Sequence, residues 1–233
     1  MIDTHCHLLP RLDDGPSSDE DAVALAGELV QAGATTIVCT PHFNRRYPTD
    51  HEAARERLTH MRTLLADSGL EVQLELAAEV GPATALDGGD EELQRRAISG
   101  RFLLVELEPE TPAGVLPVLC ERVEGLGLTA VFAHPERCRA IQRDLQPLAQ
   151  ARERGALAQV VAPSLGGSWG HTTARTAWAL VASARADLVG SDAHRPGLRQ
   201  RLGRVLRELE ERVGAAEAHR LLVETPHAIV VGD

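Results

Sequence analysis

Short apolar segments recur about every 30 residues along this chain, and most are followed by a turn and then a stretch of helical periodicity. The strand-like segments are Ile2–Cys6, Thr35–Thr40, Val72–Ala78, Phe102–Leu107, Leu128–Ala133, Leu157–Ala162 and Asp187–Ser191. Helical spacing follows over Asp19–Gln31, His51–Ala66, Gly114–Glu124, Ala140–Glu153, Thr173–Ala184 and Leu198–Val213. Ser17-Ser18-Asp19-Glu20 offers caps and first-turn acids for the first helix, and Thr49-Asp50 precedes the second. Strand, helix, strand at this spacing implies parallel pairing through right-handed crossovers. Seven such units predict an α/β fold, a closed or nearly closed (β/α)7 barrel, as one domain over residues 1–233. Asp87-Gly88-Gly89-Asp90 reads as a loop, and residues 163–170 as a Gly/Ser-rich turn able to approach a ligand.

The polar residues that interrupt this pattern fall at one address. Six of the seven segments end at or just before a residue that can bind a metal: His5, His7 and Asp14 at the first, His42 at the second, Glu79 at the third, Glu106 at the fourth, His134 at the fifth, and Asp192 with His194 at the seventh. In a strand, side chains two apart share a face, so the His5/His7 and Asp192/His194 pairs can each close on one ion. In a parallel barrel the C-terminal strand ends converge on one mouth, which is where the active site belongs. Imidazole and carboxylate without thiolate suit Mn, Fe or Zn, and nine donors exceed the needs of one ion. Two or three divalent ions are therefore expected, with Glu79 able to bridge them. Arg137, three residues past His134, could clamp a phosphate with its guanidinium fork, and Arg11, Arg45, Arg46 and Arg195 lie in loops beside the donors. His51, His60, His171, His219 and His227 lie away from strand ends and read as surface or structural residues, as do Arg152, Arg154 and the arginines from Arg199 to Arg212.

Composition narrows the chemistry. The chain carries 34 acidic against 24 basic residues, a net charge of -10, and every basic residue is arginine. That balance and the 3% aromatic content disfavour nucleic acid as a partner, and the absence of lysine excludes Schiff-base and phosphate-loop lysine mechanisms. No apolar run approaches the ~20 residues of a spanning helix, so no membrane insertion is expected, and the start of the chain leads straight into candidate donors, which reads as cytoplasmic. Cys6, Cys39, Cys120 and Cys138 lack CxxC spacing and read as reduced thiols. Cys39 to Arg45 formally satisfies the CX5R spacing of thiol-dependent phosphatases. Pro41 removes a needed N–H donor there, and an apolar strand keeps the Cys39 thiol protonated, so this route is set aside.

Met1-Ile2-Asp3-Thr4-His5-Cys6-His7, Asp13-Asp14-Gly15-Pro16, Thr40-Pro41-His42, His134-Pro135-Glu136-Arg137 and Ser191-Asp192-Ala193-His194 together resemble the polymerase and histidinol phosphatase (PHP) superfamily. Within it they look like the bacterial manganese-dependent tyrosine phosphatases that act on tyrosine autokinases of capsule and exopolysaccharide synthesis. The resemblance spans nearly the whole chain. It implies a distorted (β/α)7 TIM-like barrel with three ions, preferably manganese: one held by His5, His7, Glu79 and Asp192, a second by Glu79, Glu106 and His134, and a third by Asp14, His42 and His194. It implies hydrolysis of phosphotyrosine, with Arg137 on the substrate phosphate. The mechanism expected for such a site is in-line attack by a metal-bound hydroxide, with Arg137, His42 and His194 as catalytic residues, and Arg11 and Arg45, from their loops beside the donors, also on the substrate. The leaving phenolate would take its proton from a metal-linked histidine or from water. Pro163 departs from the family's Ser/Gly loop, which bears on substrate fit. The alternative within the superfamily is a small-molecule phosphomonoesterase, such as one acting on histidinol phosphate.

Overall fold

Neighbouring strands pair in parallel throughout. The computed structural model describes residues 1–197 and 199–233, with the side chains of 199–201 left aside. The strands are β1 (Ile2–Cys6), β2 (Thr36–Cys39), β3 (His42–Phe43), β4 (Gln73–Leu76), β5 (Glu79–Val80), β6 (Phe102–Glu106), β7 (Thr129–Ala133), β8 (Leu157–Val161) and β9 (Leu188–Gly190). They lie in the orders β1-β2-β4 and β3-β5-β6-β7-β8-β9. β3 and β5 continue the lines of β2 and β4 after short breaks, so the nine pieces make seven staves. The break at Thr40-Pro41 follows from chemistry, because proline brings no N–H to a ladder.

The ring closes just past β9. Asp192 N donates to His5 O at 2.9 Å, His7 N donates to Ala193 O at 2.9 Å, and Cys6 pairs with Ala193 in parallel. The seven-unit barrel expected from the apolar spacing is the fold observed, distorted where its second and third staves are broken. Along the staves, Val38, Leu104, Val131 and Leu188 gather with Ile229 in one small apolar cluster, while Leu103, Val105, Phe132 and Val160 join the larger cluster beneath the helices. That alternation is the period-2 rule applied to strands buried on both faces.

The first two helices, Asp19–Gln31 and His51–Asp67, begin at the expected caps: the Ser18 and Asp50 side chains accept from Asp21 N and Ala53 N. The helix expected over Ala140–Glu153 is two, Arg139–Arg143 and Gln146–Glu153, because Asp144 turns outward, accepts from Gln146 N, and Pro147 starts a new helix. Residues 163–170 are not turn throughout, since Ala162–Leu165 forms one helical turn before the loop. Pro82–Asp87, Asp90–Gln94, Ala215–His219 and Thr225–Val231 are helices the apolar pattern did not mark. The expected start of the last long helix, Leu198, lies outside the described residues; Arg199–Val213 is helical. No helix among the described residues is long and apolar enough to cross a membrane.

Candidate active site

β1 sets the floor. His5 and His7 are fully buried and share a face, their Nε2 atoms 3.3 Å apart. Each ring is held from behind. His5 Nδ1 meets Gln159 Oε1 at 2.8 Å, and Gln159 Nε2 donates to Thr4 Oγ1 at 2.7 Å. His7 Nδ1 meets Asp13 Oδ2 at 2.7 Å. When Nδ1–H donates rearward, the lone pair of Nε2 is left facing the centre, the arrangement that orients metal-binding imidazoles. Asp13 also accepts from Gly15 N and His42 N. A side chain at Gly15 would place its Cβ 2.4 Å from the His7 carbonyl, so only glycine lets this loop close on the histidine.

Glu79 is 1% exposed and surrounded by imidazoles. Its Oε1 lies 2.8 Å from His134 Nε2, and its Oε2 lies 3.0 Å from His42 Nδ1 and 3.4 Å from Nε2 of both His5 and His7. Despite these distances, Glu79 Oε2, His42 Nδ1 and Asp14 Oδ1 are buried without a well-directed hydrogen bond. Buried polar atoms normally have partners, and three orphans converging on one space fit a cation better than they fit each other. The donors form four overlapping groups: His5, His7 and Asp192; His5, Glu79 and His134; His42, Glu79 and Glu106; and His7, Asp14, His42 and His194. Within each group the donor atoms lie within 4.8 Å of one another. All nine residues singled out from the sequence are therefore brought together. The overlaps differ from the three expected sets in drawing His7 toward Asp14 and in pairing Glu106 with His42 rather than with His134.

Adjacent acids divide the work of the first loop. Asp14 Oδ1 faces the centre, 3.3 Å from His194 Nε2 and 3.6 Å from His42 Nε2, while every contact of Asp13 is rearward. Asp14 is accordingly the donor candidate and Asp13 the orienting group.

The fifth and seventh staves end in strained backbone. His134 (φ 35°) and Asp192 (φ 50°) both adopt the left-handed region, which non-glycine residues avoid. At His134 the chain folds into a tight 3-10 turn over Pro135–Arg137, anchored where buried Glu136 accepts from Val161 N at 3.0 Å. The turn aims Arg137 back over the site. Its Nη1 donates to Asp192 Oδ2 at 2.8 Å, and its guanidinium lies 4.2 Å from the Trp169 ring centre.

The charges are strongly linked. Burial works against protonation of His7, yet Asp13 and Glu79 outweigh it and raise its pKa well above the ordinary value. The same contest raises His5 and His42. Burial would raise Glu79, but His5 and the neighbouring imidazoles hold it well below the usual range. Glu106, buried and beside the Glu79 charge, is pushed up to about 7. In the metal-free protein the protonated His7 thus contributes stability fully present below its unfolded pKa of ~6.5 and lost as pH rises through the higher folded value. Cations must displace these protons, so metal affinity falls as pH falls and binding releases protons. Calorimetry in two buffers of different ionisation enthalpy reads this directly, and identical heats would contradict it. The rearward partners yield another prediction: Asp13→Ala and Gln159→Leu each weaken metal binding ~10–100-fold while leaving all nine donors in place. Competition against a chelator measures this, and unchanged affinity in both variants would make the partners merely structural.

Above the donors opens a pocket of about 890 Å³. Asp14, His42, Glu79, Glu106, His134, Asp192 and His194 line its base, with Asn44, Arg45, Arg46, Tyr47, Arg137, Trp169 and Arg195 around it. Arg45 is 85% exposed and leans toward Asp87. Arg11 does not line the pocket, because its guanidinium is paired with Asp19. His60, His171, His219 and His227 are exposed and His51 is half-buried, none of them in a donor group. Arg152 is not a freely solvated side chain, since it clamps Asp187 through two hydrogen bonds of 2.8 and 2.6 Å. Cys39 is fully buried, and burial pushes its thiol up, away from the thiolate a nucleophile requires. Sequence reasoning missed Gln159, a neutral amide on the only stave without a donor, and its sole signal was a polar residue inside an apolar strand.

The chain matches the family described as "Capsular polysaccharide synthesis, CpsB/CapC" over residues 1–231. It is 29% identical to the tyrosine-protein phosphatase YwqE of Bacillus subtilis over 83% of this chain and 77% of that protein. It is 26% identical to the tyrosine-protein phosphatase CpsB of Streptococcus pneumoniae over 99% of this chain and 98% of that one. A solved structure from work on YwqE of Bacillus subtilis and CpsB of Streptococcus pneumoniae, described as unique metal-dependent tyrosine phosphatases, superposes with a TM-score of 0.85 at 27% identity, covering 99% of this chain and 94% of the other. A D-hydantoinase structure, 13% identical with a TM-score of 0.56 over 97% of this chain and 69% of its own, shares the fold alone.

Proposed function

This chain belongs to the capsular polysaccharide synthesis family CpsB/CapC, and from that premise we propose that it is a metal-dependent protein-tyrosine phosphatase. The observation that carries the reading is the convergence of nine imidazole and carboxylate donors, four with an orphaned buried atom, beneath a pocket that also holds Arg137. Bound divalent ions supply positive charge to the phosphoryl oxygens and a water acidic enough to ionise near neutral pH. His5, His7, Asp14, His42, Glu79, Glu106, His134, Asp192 and His194 are the residues we assign to hold them. Manganese is the ion we place first, with iron or zinc accepted by the same donor types.

The chain's own groups do the rest. Arg137 keeps one N–H on Asp192 and turns the remainder of its fork toward a phosphoryl oxygen. Water, or a ring N–H that metal binding leaves on His42 or His194, is the proton source for the departing phenolate. Rearward bonds from Gln159 and Asp13 keep His5 and His7 fixed, so little reorganisation accompanies the reaction. We assign as substrate the phosphotyrosine of a protein, a tyrosine autokinase of exopolysaccharide or capsule regulation.

The test is phosphate release from a phosphotyrosine peptide and from histidinol phosphate in parallel, with Mn²⁺-loaded protein. Preference for the peptide is expected. Preference for histidinol phosphate would move the protein to the small-molecule branch of its superfamily. Cys39→Ala is expected to keep within about twofold of wild-type activity, since a buried protonated thiol takes no part; loss of activity in that variant would revive the thiol route.

A further inference from the structure

The chain has only two tryptophans, one tyrosine and three phenylalanines, yet one of those tryptophans and the tyrosine line this pocket. Trp169 is 53% exposed, unlike Trp178, which is half-buried with its indole N–H on Leu165 O. A large apolar ring left this open beside a polar site is the kind of surface that serves binding, since water gains nothing from it. Tyr47 is held in place by its neighbours. Asn44 Oδ1 accepts from Tyr47 N at 2.9 Å, Asn44 N donates to Tyr47 O at 3.0 Å, and the phenol ring lies 8° from parallel to the His42 imidazole at 5.6 Å between centres.

The two rings come from different sides of the mouth. Tyr47 sits in the loop after β3 and Trp169 in the loop after β8. On the shorter arc of the barrel, the staves between them are the first and the seventh, which lead to His5, His7, Asp192 and His194. A phosphate seated over those donors would project its ester group up between the two rings.

We propose that Trp169 and Tyr47 determine specificity, forming aromatic walls that hold the ring of an aryl phosphate while its phosphate sits on the donor floor; this rests on the phosphatase reading above. Flat π faces reward an aryl group and offer an alkyl ester little beyond general contact. Trp169 also carries Arg137 on one face. A purely bracing role for it would weaken aryl and alkyl ligands equally, which makes the ratio between them the informative quantity.

The experiment uses Mn²⁺-loaded full-length protein and two non-hydrolysable probes, phenylphosphonate and methylphosphonate, as competitive inhibitors of phosphotyrosine-peptide hydrolysis. Trp169→Ala is expected to lower the selectivity for phenylphosphonate over methylphosphonate about tenfold, Tyr47→Ala several-fold, and Trp169→Phe to restore most of it. A ratio unchanged in both alanine variants would overturn the assignment while leaving the phosphatase reading intact. A wild-type protein that hydrolyses no phosphotyrosine peptide overturns that reading itself, and this inference with it.

Discussion

Glu79→Gln is expected to lower kcat/KM on a phosphotyrosine peptide by about 10²–10³-fold, the scale seen when one preorganised electrostatic group is removed from an active site. The substitution keeps the shape of the side chain and an oxygen for His134, so a purely steric role predicts almost no effect. What it removes is the charge. Four imidazoles face this one carboxylate within 2.8–3.4 Å, and no other acid in the pocket touches more than a part of that set. A neutral amide cannot bridge two cations, so bound metal should fall together with activity. Metal content per chain, measured beside turnover, checks the link: full occupancy with lost activity would place Glu79 in another role.

Arg137→Lys is the second large effect, an expected loss of about 10²-fold or more in kcat/KM with metal content unchanged. A lysine retains the positive charge near Asp192 but not the planar fork. Arg137 lines the pocket with one N–H on Asp192 and its guanidinium 4.2 Å from the Trp169 ring centre, so the rest of its fork is available to a bound phosphate. If Arg137 served only to neutralise Asp192, lysine would substitute for it and Arg137→Ala would strip metal from the site instead. Kinetics and metal analysis on the same two variants separate these cases.

Much of this was written in the sequence because the physics that writes it is local. Strands buried in a parallel barrel read as apolar runs, and a polar residue at the end of each run stands out against them. The HxH pair rests on strand periodicity alone, and His5 and His7 share a donor group as that rule requires; Asp192 and His194 fall in different groups, because the chain leaves the extended conformation at Asp192 (φ 50°). What was not legible depends on contacts between distant segments. Asp13 and Asp14 are chemically equivalent neighbours, and only the path of the loop past Gly15 turns one rearward and the other inward. Gln159 is 154 residues from His5, and nothing local marks it as a partner. Proximity along the chain puts Arg11 beside the donors, but its guanidinium pairs with Asp19 on the following helix. The division of the Ala140–Glu153 helix was foreshadowed by Pro147, whose ring cannot enter a helix interior, although the apolar period runs on through it.

The central claim is that the clustered donors act through bound metal on a phosphorylated tyrosine. Its most direct test is phosphate release from a phosphotyrosine peptide by protein stripped with a chelator, titrated with Mn²⁺ while bound ion per chain is counted. No turnover is expected without metal, and activity is expected to rise as two or three ions bind. Full activity in the stripped protein, or metal binding without any gain in turnover, would contradict it.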